Sequence, residues 1–311
     1  MTLPLRRPKR LAPGGVVGVA ALSGPVREED LRAGVATLES FGYSVRIAPN
    51  ALSREPLLGL AGDDRTRLEG YLSLVADPEV DAVLFARGGY GVTRLLDRLP
   101  AELLRERPLL HCGFSDLTAL AAFLRERCGL VSVHGPMVAA DLSRPLDPLT
   151  AQWFPALLEG RAPVRLDVPD ADVLVPGRAE GPLVGGCLSL LAALSGTPWD
   201  FDYDGALLFL EETGEEAYRV DRMLGTLISA GRLGRLAGII TGSMARVTFG
   251  GAEEPDRLRK LLLDRFGPLG VPVASGLPFG HAGPNVPLPV GARASWDGES
   301  RTLALEEEFL S

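Results

Sequence analysis

The stretch Pro108-Leu109-Leu110-His111-Cys112-Gly113-Phe114-Ser115-Asp116-Leu117-Thr118 joins a short apolar run to an amphipathic one. Residues 109–113 read as a buried strand. Leu117, Leu120, Ala121 and Leu124 then recur at helical spacing as far as Arg127, so the strand-to-helix turn falls on Ser115. Such a turn lifts a side chain above the carboxyl edge of a sheet and points helix N-terminal amides at whatever binds there. Two readings of Ser115 follow. It caps its helix, as Ser often does, or it is a nucleophile.

Working outward, residues 16–22, 44–48, 82–86 and 130–133 read as further strands. Helices over 28–41 and 65–75 lie between them, with Leu31, Val35 and Leu38 on one face and Leu68, Leu72 and Val75 on the other's. Strands that alternate with helices and are written as continuous apolar runs predict a mainly parallel sheet covered on both faces. Residues 141–180 break the rhythm with Pro145, Pro148, Pro155, Pro163, Pro169 and Pro176, and read as a connection. Beyond them come a helix over 188–194, a strand over 206–210, a helix over 216–230, a strand over 236–241 and a helix over 255–266. Short strands near 271–274, 289–295 and 302–305 follow without helices between them. The predicted fold class is α/β: an N-terminal, mainly parallel domain over 1–140, a proline-rich connection over 141–180, and a smaller C-terminal mixed domain over 181–311.

Composition narrows the function. With 311 residues, 46% hydrophobic and 23% charged, the chain suits a globular protein of two ordinary domains. A net charge of −8 argues against nucleic acid as a partner, because that partner needs a basic face. The basic opening Arg6-Arg7-Pro8-Lys9-Arg10 precedes no long apolar segment, and residues 16–22 are too few to cross a membrane, so a cytoplasmic protein is expected. Cys112, Cys128 and Cys187 are odd in number and widely spaced, which disfavours a disulfide framework or a zinc ribbon. No His, Asp or Glu cluster shows ligand spacing, so neither metal nor cofactor is expected.

A serine hydroxyl attacks well only when a base takes its proton, and three histidines are available. His111 lies inside a strand and suits the core. His134 ends the next strand in Val133-His134-Gly135-Pro136. His281 sits in the loop Gly280-His281-Ala282-Gly283-Pro284-Asn285 and is favoured as the base over His134, because bases are found on loops held by a scaffold. The base needs a carboxylate to orient it, and the apolar run Leu207-Leu208-Phe209-Leu210 leads into Glu211-Glu212, either of which serves unless the two belong to a solvated charge cluster. The order Ser115, Glu211, His281 is the nucleophile–acid–base order of α/β-hydrolases, though Gly-x-Ser-x-Gly is absent. Arg87-Gly88-Gly89-Tyr90-Gly91 follows the third strand, opens a helix containing Val92, Leu95 and Leu96, and supplies amides for one half of an oxyanion hole, with the amide of Asp116 as the other. As a dinucleotide fingerprint its spacing is wrong.

These blocks resemble the LD-carboxypeptidases, serine peptidases that include muramoyltetrapeptide carboxypeptidase and the microcin C immunity proteins. The likeness rests on residues 86–91, 113–118, His134-Gly135-Pro136-Met137, Leu188-Ser189-Leu190-Leu191 with Gly196-Thr197-Pro198, Leu208-Phe209-Leu210-Glu211 with the stretch Tyr218 to Leu224, and Gly280-His281 with Leu288-Pro289-Val290-Gly291. The resemblance implies a triad of Ser115, Glu211 and His281, an oxyanion hole from the amides of Gly89 and Asp116, and homodimers. Tyr90 and His134 are candidates for lining a peptide or muropeptide site. Phe114 stands where the family often has Tyr, and Cys187 where Asn is usual. The implied activity is release of a terminal D-amino acid, as of D-alanine from murein tetrapeptides. Alternatives are an immunity-type hydrolase of peptidyl-adenylate mimics and a non-catalytic peptidoglycan-fragment binder.

Overall fold

The computed structural model describes residues 3–311. The chain divides into two compact units, one of Met1–Ala162 with Val286–Pro289 and Phe309–Ser311, the other of Pro163–Asn285 with Val290–Glu308.

In the first unit β1 (Val16–Ala20), β2 (Ser44–Ile47), β3 (Ala82–Phe85), β4 (Leu110–Cys112) and β5 (Ser132–His134) alternate with α1 (Glu28–Ser40), α2 (Asp64–Ala76), α3 (Ala101–Glu106) and α4 (Thr118–Phe123), and α5 (Pro148–Leu158) follows. Their sheet runs β5-β4-β3-β1-β2, and every pairing among these five is parallel. Every residue of β3 is buried, as expected of an apolar run with helices over both faces. The β2 edge is mostly exposed. Asp63 and Asp147 start α2 and α5 by accepting the Thr66 and Thr150 amides at 2.7 and 2.9 Å. Because β1, β3 and β4 run parallel side by side, the loops that follow them leave from one edge of the sheet.

Two expectations fail here. The segment after Gly91 is not an α-helix but two short 3₁₀ turns, Val92–Arg94 and Leu96–Arg98. Pro100 forces Leu99 into extended backbone (ψ 126), which leaves too few residues for an α-helix before α3. Residues 141–180 are not a bare connection. They supply α5 and three strands, and the division between units falls inside them, at 162/163. Proline acts there as punctuation: Pro148 opens α5, Pro163 stands between α5 and β6, and Pro169 and Pro176 stand between strands.

The second unit holds β6 (Arg165–Asp167), β7 (Asp172–Val175), β8 (Arg178–Cys187), α6 (Leu188–Leu194), β9 (Leu207–Thr213), α7 (Ala217–Ser229), β10 (Gly238–Ala245), the small hairpin β11 (Thr248–Phe249) and β12 (Ala252–Glu253), α8 (Pro255–Phe266) and β13 (Val273–Ser275). After β14 (Leu288–Val290), which joins the edge of the first sheet beside β5, come β15 (Arg293–Asp297) and β16 (Thr302–Leu305). The order is β6-β16-β15-β8-β9-β10-β13-β7, parallel from β8 to β13 and antiparallel on both flanks. A mixed sheet was expected. Its size was not: this unit is the shorter in chain length, yet its sheet has eight strands against six. The excess comes from the strands hidden between prolines.

Candidate active site

In the first unit β4 ends at Cys112, and a single 3₁₀ turn, Ser115–Leu117, separates it from α4. Ser115 has φ 62, the left-handed region, which costs a non-glycine residue ~1–2 kcal/mol. The capping role is absent, because Phe114 and Leu117 occupy the cap positions. Gly88 lies directly on the serine: a methyl added to it would come within 2.8 Å of Ser115 Cβ and 2.9 Å of Oγ. The carbonyl of Gly88 accepts from the Gly24 amide at 3.2 Å, and Gly89 follows at φ 123. Next to it Tyr90 is 49% exposed. Thus Ser115, Asp116 and the glycine turn, expected to share a sheet edge, are brought together.

The Asp116 side chain does more than sequence reasoning assigned to it. It is buried, and its Oδ2 accepts from Ser23 Oγ at 2.6 Å and from the Val92 amide at 3.0 Å. Burial pushes its carboxyl up, against the pull of those two bonds. Arg67, also fully buried, donates from Nη1 to the carbonyls of Gly91, at 3.0 Å, and Leu22. Ser23 and Arg67 were missed. Arg67 had a signal: with Tyr71 and Leu74 it falls at helical spacing on the buried face of α2, a charge within an apolar stripe.

His134 is buried, its ring centroid 5.4 Å from that of Phe114, and packs as a core aromatic. His111 is a core residue, as expected. Its Nδ1 lies 2.9 Å from the Leu109 carbonyl, which only accepts, so Nδ1 carries the proton and Nε2 accepts from Tyr71 Oη at 2.9 Å. Burial lowers His111 to about 4.

In the second unit β9 runs past Leu210 to Thr213, so Glu211 and Glu212 are strand residues with no exposed charge cluster. Glu211 is wholly buried, and its Oε2 lies 2.5 Å from His281 Nδ1. A carboxylate only accepts, so Nδ1 carries the proton and Nε2 is the basic nitrogen of the ring. Glu212 points elsewhere: it accepts the Ser189 and Thr213 amides, each at 2.8 Å, and meets Cys187 Sγ at 3.7 Å. Burial pushes both Glu212 and the Cys187 thiol up. Of the two carboxylates, left open by the residues alone, Glu211 is the one that touches His281.

The loop carrying His281 is pinned at several points. Ser243 donates its amide to the Phe279 carbonyl at 2.8 Å and accepts the Ala282 amide on Oγ at 3.1 Å, while Asn285 Oδ1 accepts the Gly280 amide at 3.0 Å. Gly280 has φ 105, and a Cβ there would fall 2.7 Å from Ser243 Oγ and 2.9 Å from Glu211 Cβ, so only glycine fits. Among the described residues no helix is long and apolar enough to cross a membrane.

Comparison with known proteins defines the class: a peptidase. The chain belongs to the LD-carboxypeptidase family, whose N-terminal domain model matches residues 17–135 and whose C-terminal domain model matches residues 180–295. A putative carboxypeptidase of Streptomyces coelicolor is 43% identical over 98% of both chains. The structure of muramoyltetrapeptide carboxypeptidase from Oxalobacter formigenes is similar with a TM-score of 0.79 and 32% identity, over 93% of this chain and 97% of that one. The microcin C7 self-immunity protein MccF of Escherichia coli shares the fold, with a TM-score of 0.89 at 22% identity, over 98% of this chain and 100% of that one.

Proposed function

We propose that the protein is a cytoplasmic serine carboxypeptidase that cleaves the amide between an L-centre and a terminal D-amino acid, releasing D-alanine from murein tetrapeptides during cell-wall recycling. The observation that carries this reading is Ser115 held at φ 62 against Gly88, a costly geometry that a binding protein has no need to maintain. The murein peptide as substrate is supported by the 32% identical muramoyltetrapeptide carboxypeptidase. Cys112, Cys128 and Cys187 are buried thiols, which suits a reducing compartment. The family resemblance adds the expectation of a homodimer.

Ser115 Oγ attacks the scissile carbonyl while His281 Nε2 takes its proton, and Glu211 holds the imidazolium that results. The amides of Gly89 and Asp116 receive the oxyanion. His281 returns the proton to the leaving amine, the D-amino acid departs, and the acyl group stays on Ser115 until water, activated by the same histidine, releases it. Incubation with tetrapeptide ending in D-alanine should give tripeptide and free D-alanine by mass, with a tenfold or larger preference over the L-alanine isomer, a margin of about 1.4 kcal/mol. Equal cleavage of both isomers would discard the LD assignment. Tight binding without release would favour a binding protein, and cleavage confined to peptidyl-adenylate mimics an immunity-type hydrolase.

A further inference from the structure

One peptide unit of the glycine turn is gripped by charges of both signs. The Gly91 carbonyl accepts from Arg67 Nη1 at 3.0 Å, and the adjoining Val92 amide donates to Asp116 Oδ2 at 3.0 Å. Both side chains are buried and both have second anchors. Arg67 donates to Leu22 O and, from Nη2, to Asp64 Oδ1 at 2.6 Å, and Asp116 accepts Ser23 Oγ at 2.6 Å. Rotation of the Gly91–Val92 peptide would turn its carbonyl toward the carboxylate and its amide toward the guanidinium. Out of water both contacts would be strongly repulsive. At its other end the turn is held through Gly88, whose carbonyl accepts the Gly24 amide at 3.2 Å. Both anchoring partners on the β1 side, Leu22–Ser23 and Gly24, belong to one loop.

We propose that Arg67 and Asp116 are positioning residues that lock the Gly91–Val92 peptide and thereby hold the Gly88–Tyr90 backbone in the conformation that receives the oxyanion. The inference rests on the reading of this turn as half of an oxyanion hole, and it assigns the Asp116 carboxylate a role separate from that of its own amide. An alanine at 116 keeps the amide and removes the carboxylate, so the two roles can be separated.

Two measurements on the whole protein test it: amide exchange over residues 88–92, and steady-state release of D-alanine. In Asp116→Ala and Arg67→Met the Val92 region should exchange at least about tenfold faster while β1 and β3 keep their protection. The turnover number should fall on the order of 10²-fold with KM within about threefold, the pattern of a lost oxyanion donor. Asp116→Asn should restore most of both, because its amide oxygen can accept from Ser23 and Val92. Arg67→Lys should stay impaired, because one ammonium lacks the guanidinium's planar fork for two carbonyls and Asp64. If the alanine and methionine variants do not fold, the contrast between the asparagine and lysine variants decides. Unchanged exchange in the impaired variants, or faster exchange with wild-type turnover, would overturn the proposal. If the wild type releases no D-alanine, the functional reading fails and exchange alone decides the lock.

Discussion

The two units hold the groups proposed for the chemistry by opposite means. In the first, Ser115 is set by backbone: a left-handed φ, a one-turn link from β4 to α4, and a glycine pressed against the hydroxyl. In the second, His281 is set by side chains: a fully buried Glu211 at 2.5 Å, with Ser243 and Asn285 tying down the loop. The difference follows from where each group sits. A tight turn between a strand and a helix inherits the rigidity of both, so the backbone around it holds the strained serine in place. A residue on a long loop between β13 and β14 has no such support, and needs an explicit partner for every atom whose position matters.

A double variant shows whether the two regions act as one machine. Ser115→Ala and His281→Ala should each lower turnover by about 10⁴-fold or more, and the double variant should be little worse, because members of a triad act as a unit. Losses that multiply in the double variant would make the regions independent. A smaller effect isolates the side-chain support. Glu211→Gln should cost on the order of 10²–10⁴ in turnover, by favouring the wrong imidazole tautomer, with thermal unfolding close to wild type. Wild-type turnover in that variant would reduce Glu211 to a structural role.

The two histidines sharpen the contrast through pH. His281 has a carboxylate partner, whereas His111 has only Tyr71 and a carbonyl and is lowered from 6.5 to about 4. Between about pH 4 and 6.5 the unfolded chain therefore binds a proton at His111 that the folded chain refuses, so this contribution to stability is complete above the window and is lost on acidification through it. The loss amounts to about 3 kcal/mol for the wild type, and His111→Gln should lack it. Parallel stability curves for the two proteins from pH 4 to 7 would contradict the assignment.

The smallest effects test backbone against side chain directly. Gly280→Ala should lose about 2 kcal/mol, since its methyl would land on Ser243 and Glu211 at a positive φ. Ser115→Gly should instead gain about 0.5–1 kcal/mol in denaturant unfolding while abolishing turnover, because glycine relieves the strain and gives back part of the gain as unfolded-state entropy. A destabilised Ser115→Gly would mean that the hydroxyl, not the backbone, carries the local energy.

Much of this arrangement was legible in the residues. The strand-to-helix turn at Ser115, the five parallel strands and the glycine turn follow from apolar periodicity and glycine placement, which are local properties. The proline-marked strands β6, β7 and the first half of β8 were not, because their short runs gain strand character only by pairing with β16, β13 and β15, far away in sequence. The same distance hid Ser23 and Arg67, whose polar atoms find Asp116 and Gly91 only when three loops meet at one sheet edge.

By itself the sequence determined the fold class and the family, and it singled out Ser115 and His281 for the proposed chemistry, because periodicity and ordered motifs are written along the chain. Only the tertiary structure decided that Ser115 is strained rather than capping, that Glu211 and not Glu212 touches His281, that His134 packs in the core, and that Asp116 and Arg67 grip one peptide. Each of these depends on which atoms meet in space and on their removal from water, and that information belongs to contacts between distant segments rather than to any one of them.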